Sequence, residues 1–290
     1  MSILSDLTPL PSVIIESAVR AALAEDLGDA GDITSQSTVP ADTRSRVVLR
    51  AREHGCIAGL DAARAAFREM DPGLRISVQT PDGSVVAPGD VIAAIEGNAR
   101  AIVTGERVAL NFLGHLSGIA TATRKFVDAV SNTNTRICCT RKTTPGLRAF
   151  EKYAVRAGGG VNHRFGLYDA ILIKDNHIAM AGGIAEAING ARAKAGHMVR
   201  IEIEVDTLDQ LKEALDIGVE AVLLDNMAPD VLREAVAINQ GQAALEASGG
   251  ITLDTAASVA ATGVDYISVG WITHSAPCLD IGLDYEAAAS

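Results

Sequence analysis

Aromatic residues are scarce in this chain: Phe, Trp and Tyr together make up 3% of 290 residues, with one tryptophan. With 27 glycines, the apolar mass left is Ala, Val, Ile and Leu, the usual filling of parallel sheets under small-residue helices, which argues against an all-β sandwich. Cysteine is sparse too. Cys56, Cys138, Cys139 and Cys278 have neither zinc-type spacing nor a secretory context, so they are read as small core residues. Cations are outnumbered, 25 Lys and Arg against 36 Asp and Glu, and a net charge of −11 excludes nonspecific attraction to nucleic acid or an anionic membrane. No apolar run approaches the ~20 residues needed to cross a bilayer. The opening Met1-Ser-Ile-Leu-Ser-Asp6 lacks a basic leader region, so the expected location is cytoplasmic. No His-Glu-x-x-His zinc motif or Gly-x-Ser-x-Gly elbow is present, which disfavours nucleophilic hydrolysis, and no Gly-x-Gly-x-x-Gly follows a strand.

What is present is a chain that should fold: 48% apolar, 21% charged, and long enough for two modest domains or one large α/β barrel. A helix pattern, capped at Ser12 and stopped at Gly28, is followed by short alternating segments at 46–50 and 74–78, between turn signals such as Pro81-Asp-Gly83. From Thr104 to Ser131 the period is helical, with Val108, Phe112, Leu113 and Leu116 on one side and Arg107, Asn111 and Gly114 on or near the other. Thereafter apolar strands at 137–139, 170–173, 201–205, 221–224, 244–247 and 266–269 alternate with Ala-rich helical stretches, one of them with Asp206 at its N-cap. Strand then helix, repeated, means parallel strands. A doubly wound open sheet is the alternative to a barrel.

Each of these strands ends on residues suited to polar chemistry or close ligand approach: Thr140-Arg-Lys142, Lys174, Glu204, Asp225, Ser248-Gly-Gly250 and Gly270. In a β/α barrel such ends converge at one mouth. Between Arg141 and Lys174 lie seven cations and two anions, a cationic island in an acidic protein that would concentrate small anions. Arg148, Lys152 and Arg156, four apart, read as a solvated helix face, whereas Arg141, Lys142, Arg164 and Lys174 sit at strand ends or in turn-rich loops and suit carboxylates and phosphates. Glu204 and Asp225 end successive strands, and a divalent metal shared with a phosphate ligand is the reading preferred over structural ion pairs. Glycines at 249, 250 and 270 let backbone N–H groups approach a phosphate. His163, beside Arg164, is the one histidine flanked by such residues; Gly158-Gly-Gly160 reads first as a helix exit.

Several stretches, taken in order through nearly the whole chain, resemble the quinolinate phosphoribosyltransferases, the type II, decarboxylating phosphoribosyltransferases also called carboxylating nicotinate-nucleotide pyrophosphorylases. They are Glu25-Asp-Leu-Gly28 with Gly31-Asp-Ile-Thr34, Glu106-Arg-Val-Ala-Leu-Asn-Phe-Leu113, Thr140-Arg-Lys-Thr-Thr-Pro-Gly-Leu-Arg148, Gly158-Gly-Gly-Val-Asn-His-Arg164, Leu172-Ile-Lys-Asp-Asn-His177, Leu224-Asp-Asn-Met227, Ser248-Gly-Gly250 and Ser268-Val-Gly270. The resemblance implies an α/β fold: an N-terminal α/β sandwich domain, residues 1–116, and a C-terminal incomplete β/α barrel of fewer than eight strands, residues 117–290, whose last ~15 residues return to the first domain. It implies phosphoribosyl transfer to quinolinate in NAD biosynthesis, magnesium with no organic cofactor, and a homodimer or higher oligomer with shared active sites. Quinolinate would be held by Arg107, Arg141, His163, Arg164 and Lys174. Phosphoribosyl pyrophosphate would meet Thr140 and Lys142, with Glu204 and Asp225 at the ribose and the metal, directly or through water, and its 5′-phosphate would reach Ser248, Gly249, Gly250, Val269, Gly270 and Trp271. Lys142, Lys174, Glu204 and Asp225 are the residues expected to act in the chemistry. A Schiff-base role for Lys174, a non-catalytic anion-binding homologue, and nicotinate as substrate are the competing readings.

Overall fold

The computed structural model describes residues 7–285, so the leader reading of residues 1–6 lies outside the described residues. In chain order come α1 (Ser12–Leu27), α2 (Ile33–Thr38), β1 (Arg44–Ala51), β2 (Gly55–Cys56), α3 (Leu60–Met70), β3 (Arg75–Val78), β4 (Val85–Val86) and β5 (Val91–Asn98). The long helix α4 (Ala99–Ala129) leads to β6 (Arg136–Cys138), α5 (Arg148–Ala157), β7 (Ile171–Ile173), α6 (Asp175–Ala181), α7 (Ile184–Lys194), β8 (Ile201–Val205) and α8 (Leu208–Ile217). The chain continues through β9 (Ala221–Asp225), α9 (Pro229–Asn239), β10 (Ala244–Ser248), α10 (Leu253–Ala260), β11 (Tyr266–Ser268), α11 (Trp271–His274) and β12 (Ile281–Tyr285). Two compact units result among the described residues: 7–124, 149–159 and 275–285 form one, and 125–148 with 160–274 form the other.

The first unit contains a four-stranded sheet in the order β12-β1-β5-β3, every pair antiparallel. Its core is largely aliphatic, with Val48, Leu49, Ala66, Ile92 and Ile95 buried together with Phe67. Gly114 and Gly118 of α4 pack inward, contrary to the polar-side reading of Gly114. The Leu279 N–H donates to the Gly114 carbonyl at 2.9 Å, and a Cβ on Gly118 would run into the Pro277 carbonyl and lie 3.0 Å from the Cys278 Cα. Because backbone stands on both sides, Gly118→Ala is expected to destabilise the protein by about 1–3 kcal/mol, read as a lowered melting temperature with Gly190→Ala, where a Cβ meets open space, as control. Gly158 is used in the same way, since a Cβ there would lie 2.5 Å from the Ala120 carbonyl oxygen on α4.

The second unit is built on a six-stranded parallel sheet, β6-β11-β10-β9-β8-β7. From β7 to β11 the strands succeed one another in a single direction, and β6 joins at the β11 end. That is a barrel's cyclic order opened between β6 and β7. A doubly wound sheet would reverse direction at a switch point, so that alternative is excluded. On the free side of β6, Val161 forms a parallel bridge with Cys138, and its N–H and carbonyl bond to Ile137 and Cys139 at 2.8 and 3.2 Å. The barrel is therefore incomplete rather than closed, with all strand C-termini at one edge.

Some local readings need correction. Pro11, not Ser12, holds the N-cap of α1, without a side-chain cap bond. Thr207 rather than Asp206 caps α8: its hydroxyl accepts from the Gln210 N–H while the Gln210 amide returns to the Thr207 N–H, a reciprocal pair that acidic Asp206 outside the helix does not make. Arg148, Lys152 and Arg156 do not form a solvated face. Lys152 is fully buried, Arg148 donates to Thr143 Oγ1 and the Phe165 carbonyl at 2.9 Å each, and Arg156 donates to the Thr8 carbonyl and lies over the Tyr153 ring. Four-residue spacing fixes that side chains share a helix face, not what covers it. Cys56, Cys138 and Cys139 are buried as expected, but Cys278 is exposed.

Candidate active site

The parallel strands deliver their end residues to one cleft of about 740 Å³ within the second unit. Thr140, Arg141, Lys142, His163, Arg164, Lys174, Glu204, Asp225, Ser248, Gly249, Gly250, Val269, Gly270 and Trp271 all line it. Arg107, on α4 in the first unit, is exposed and is not among these lining residues.

Local backbone chemistry sets each group. Beyond β6, Thr140 Oγ1 accepts the Lys142 N–H at 3.0 Å, and Thr273 Oγ1 of α11 donates to the Lys142 carbonyl at 2.7 Å, fastening the loop on which Arg141 and Lys142 stand. The Lys142 stem passes close over Gly270, where a Cβ would lie 2.9 Å from Lys142 Cδ. Lys174 occupies the N-cap of α6 in extended backbone, its N–H donated to Nδ1 of His177, which accounts for that histidine as a cap. Its ammonium pairs with Glu204 of β8. At the end of β9, Asp225 accepts from the Asn226 amide at 2.6 Å, and Asn226 sits at positive φ with its N–H on the Ser248 carbonyl. Gly249 follows at φ +99°, where a Cβ would collide with Asn226, and Gly250 at φ +59° faces open space. The turn after β10 is thereby left as bare backbone beside Asp225, a setting for phosphate oxygens.

Charge is distributed unevenly across this mouth. Arg164 is held by Nη1 on the Ala170 carbonyl at 3.1 Å, and burial followed by repulsion from Arg141 pushes its pKa below the usual guanidinium value. Arg141 Nε, Arg164 Nε and Glu246 Oε1 are buried without a hydrogen-bond partner, and all three residues line the cleft. Two guanidinium groups forced together, each with a donor unsatisfied, form a site for a small polyanion. Glu204 and Asp225 add hard oxygen donors of the kind magnesium takes.

Comparison with known proteins shows the family. The description "Quinolinate phosphoribosyl transferase, N-terminal domain" matches residues 32–117, and "Quinolinate phosphoribosyl transferase, C-terminal domain" matches residues 119–284. The chain belongs to the quinolinate phosphoribosyltransferase family. It is 47% identical over 260 residues to a probable nicotinate-nucleotide pyrophosphorylase (carboxylating) of Bacillus subtilis, covering 90% of this chain and 89% of that one. A nicotinate-nucleotide pyrophosphorylase of Mycobacterium leprae is 46% identical, with 92% and 95% covered. The solved nicotinate-nucleotide pyrophosphorylase of Francisella tularensis superposes with a TM-score of 0.93 at 40% identity, over 97% of this chain and 99% of that one.

Reading the sequence by strand ends passed over several lining residues. Asn226, Glu246, Ser268 and His274 belong to the same wall. Glu246 lies two residues before Ser248 on β10, and Glu202 two before Glu204 on β8, so the period of two carries each pair to one face. A glutamate inside an otherwise apolar buried strand was the available signal.

Proposed function

We propose that the residues at this mouth divide the family's reaction between a dicarboxylate half and a phosphoribosyl half. The reaction is transfer of the phosphoribosyl group from phosphoribosyl pyrophosphate to quinolinate with decarboxylation, giving nicotinate mononucleotide, pyrophosphate and carbon dioxide for NAD biosynthesis. The single observation that carries the division is the pair of half-buried arginines, Arg141 and Arg164, each with a buried, unpartnered Nε, in one cleft with the acids Glu204 and Asp225. In this reading Arg141, His163, Arg164 and Lys174 surround quinolinate, with Arg107 reaching in from the partner subunit of a homodimer. Thr140, Lys142, Ser248, Gly249, Gly250, Val269, Gly270 and Trp271 surround the phosphates.

Departure of pyrophosphate from ribose C1 builds oxocarbenium character at carbon and negative charge on the leaving group. Lys142 stabilises the leaving anion, and Glu204 and Asp225 orient the ribose hydroxyls and stabilise the developing cation. The pyridine nitrogen then bonds to C1 and becomes a pyridinium, whose positive charge stabilises the in-plane electron pair left at C2 as carbon dioxide departs with Lys174 beside the C2 carboxylate, and a proton from water then fills that position. No organic cofactor is needed for that step. Two carboxylates near a phosphate site fit magnesium, and Glu204 and Asp225 would hold it directly or through water. When bound, it would supply charge neutralisation of the pyrophosphate. Among the described residues no helix is long and apolar enough to cross a membrane, and a cytoplasmic location is proposed with this function.

Incubation of the purified protein with quinolinate, phosphoribosyl pyrophosphate and magnesium is expected to yield nicotinate mononucleotide and carbon dioxide in equal amounts; absence of both overturns the reading. Nicotinate is expected to be a poor substrate, since loss of one carboxylate leaves a desolvated cation unpaired at about 1–3 kcal/mol. Equal kcat/KM for the two acids would refute the carboxylate assignment.

A further inference from the structure

Below the strand ends, Glu202 of β8, Glu246 of β10 and His163 meet inside the sheet's concave face. Nε2 of His163 lies 2.9 Å from Glu202 Oε2 and 3.8 Å from Glu246 Oε1. Nδ1 of the same ring lies 2.8 Å from the backbone nitrogen of Arg164, which donates to it. A nitrogen that accepts a backbone N–H carries no proton, so the ring is neutral, protonated on Nε2, and donates there to Glu202. Both ring nitrogens are thereby occupied within the protein. Turning the ring over would set a C–H edge against two carboxylates and leave the Arg164 N–H without an acceptor, so the two glutamates select one orientation.

We propose that Glu202 and Glu246 are positioning residues of the site, which fix the His163 imidazole in one tautomer and, through its Nδ1, set Arg164 to present its free Nε to a ligand carboxylate. The chain runs from Glu202 through the His163 ring to the Arg164 backbone, while the Arg164 guanidinium is tied at its far end to the Ala170 carbonyl. His163 in this arrangement acts through Arg164 rather than as a donor to the carboxylate. Burial, then the neighbouring Glu202, push the Glu246 carboxyl up to about 7.

The proposal rests on the carboxylate half of the function above, and the test separates the two. Three variants and the wild-type protein are compared by steady-state kinetics and by 15N NMR of histidine side chains. Glu202→Ala is expected to raise KM for quinolinate about tenfold, leave KM for phosphoribosyl pyrophosphate unchanged and lower kcat less than it raises KM. Glu202→Gln, whose amide oxygen still accepts from Nε2, restores most of the loss. Glu246→Gln, which removes the second carboxylate beside Nε2, is expected to raise KM for quinolinate less than Glu202→Ala does. In the wild-type spectrum His163, assigned through its loss in His163→Asn, shows a protonated Nε2 and a bare Nδ1; Glu202→Ala gives a tautomer mixture.

Several results overturn the proposal: an unchanged quinolinate KM in folded Glu202→Ala, equal losses for both substrates, no rescue by Glu202→Gln, or a protonated Nδ1 in the wild type. If Glu202→Ala does not fold, Glu202→Gln and the wild-type spectrum still decide. The donor atoms of His163, Glu202 and Glu246 lie within 4.8 Å of one another. Stoichiometric zinc binding abolished by Glu246→Gln would therefore make the cluster a metal site and refute the positioning role. Should wild-type protein fail to turn over quinolinate at all, the functional reading falls, while the spectrum, recorded without substrate, still judges the ring's tautomer.

Discussion

Mixing Arg107→Ala and Lys174→Ala proteins, each nearly inactive alone, is expected to restore activity to about half of the wild-type value per heterodimer. The two lesions are chosen because Lys174 lines the cleft of its own second unit, whereas Arg107 is an exposed residue of α4 that is not among the lining residues. If the site is completed by the partner subunit, one site of the heterodimer carries both lesions and the other carries neither. If each site is built from one chain, every site keeps a lesion. Subunit exchange is followed separately by differential tags, and verified heterodimers that remain inactive would refute the trans assignment of Arg107.

Asp225→Ala is expected to lower kcat by about a hundredfold or more, equivalent to roughly 3 kcal/mol of transition-state stabilisation, while calorimetric binding of quinolinate alone is retained. Glu204→Ala should lose turnover to a similar degree but disturb quinolinate binding as well, because Glu204 holds the Lys174 ammonium in the ligand-free protein. That difference follows from the structure, where Asp225 is oriented by the Asn226 amide while Glu204 pairs with Lys174. Wild-type turnover and magnesium dependence in Asp225→Ala would show that the acid has no part in the phosphoribosyl half.

The second unit was readable from sequence because each of its strands is a short apolar run closed by a polar residue, and parallel strands bring such residues to one edge whatever the exact registers. The strand-end constellation follows from that, whereas the incomplete barrel, as against a doubly wound sheet, rests on the family resemblance. The pairing of Lys174 with Glu204, and the cluster beneath it, follow from neither. Whether Glu202 and Glu246 meet depends on how far the sheet curls, since β9 lies between their strands. Lys152 misled for a related reason: a lysine in an i, i+4 series of cations looks solvated until the fold encloses it. Gly114 read as polar-side because the segment that packs on it arrives some 160 residues later, at Leu279.

The edge of the first sheet is supplied by β12, paired along β1 from Val47 with Tyr285 to Ala51 with Ile281. On a ribosome this strand emerges after every strand of the parallel sheet has been made. Through most of translation the nascent chain therefore displays β1 as an open edge, a template for mispairing with other chains until β12 arrives. Stalling or truncation between His274 and Ile281 would leave every residue of the cleft synthesised while exposing that edge, so the hazard in making this protein falls on its first domain and comes last.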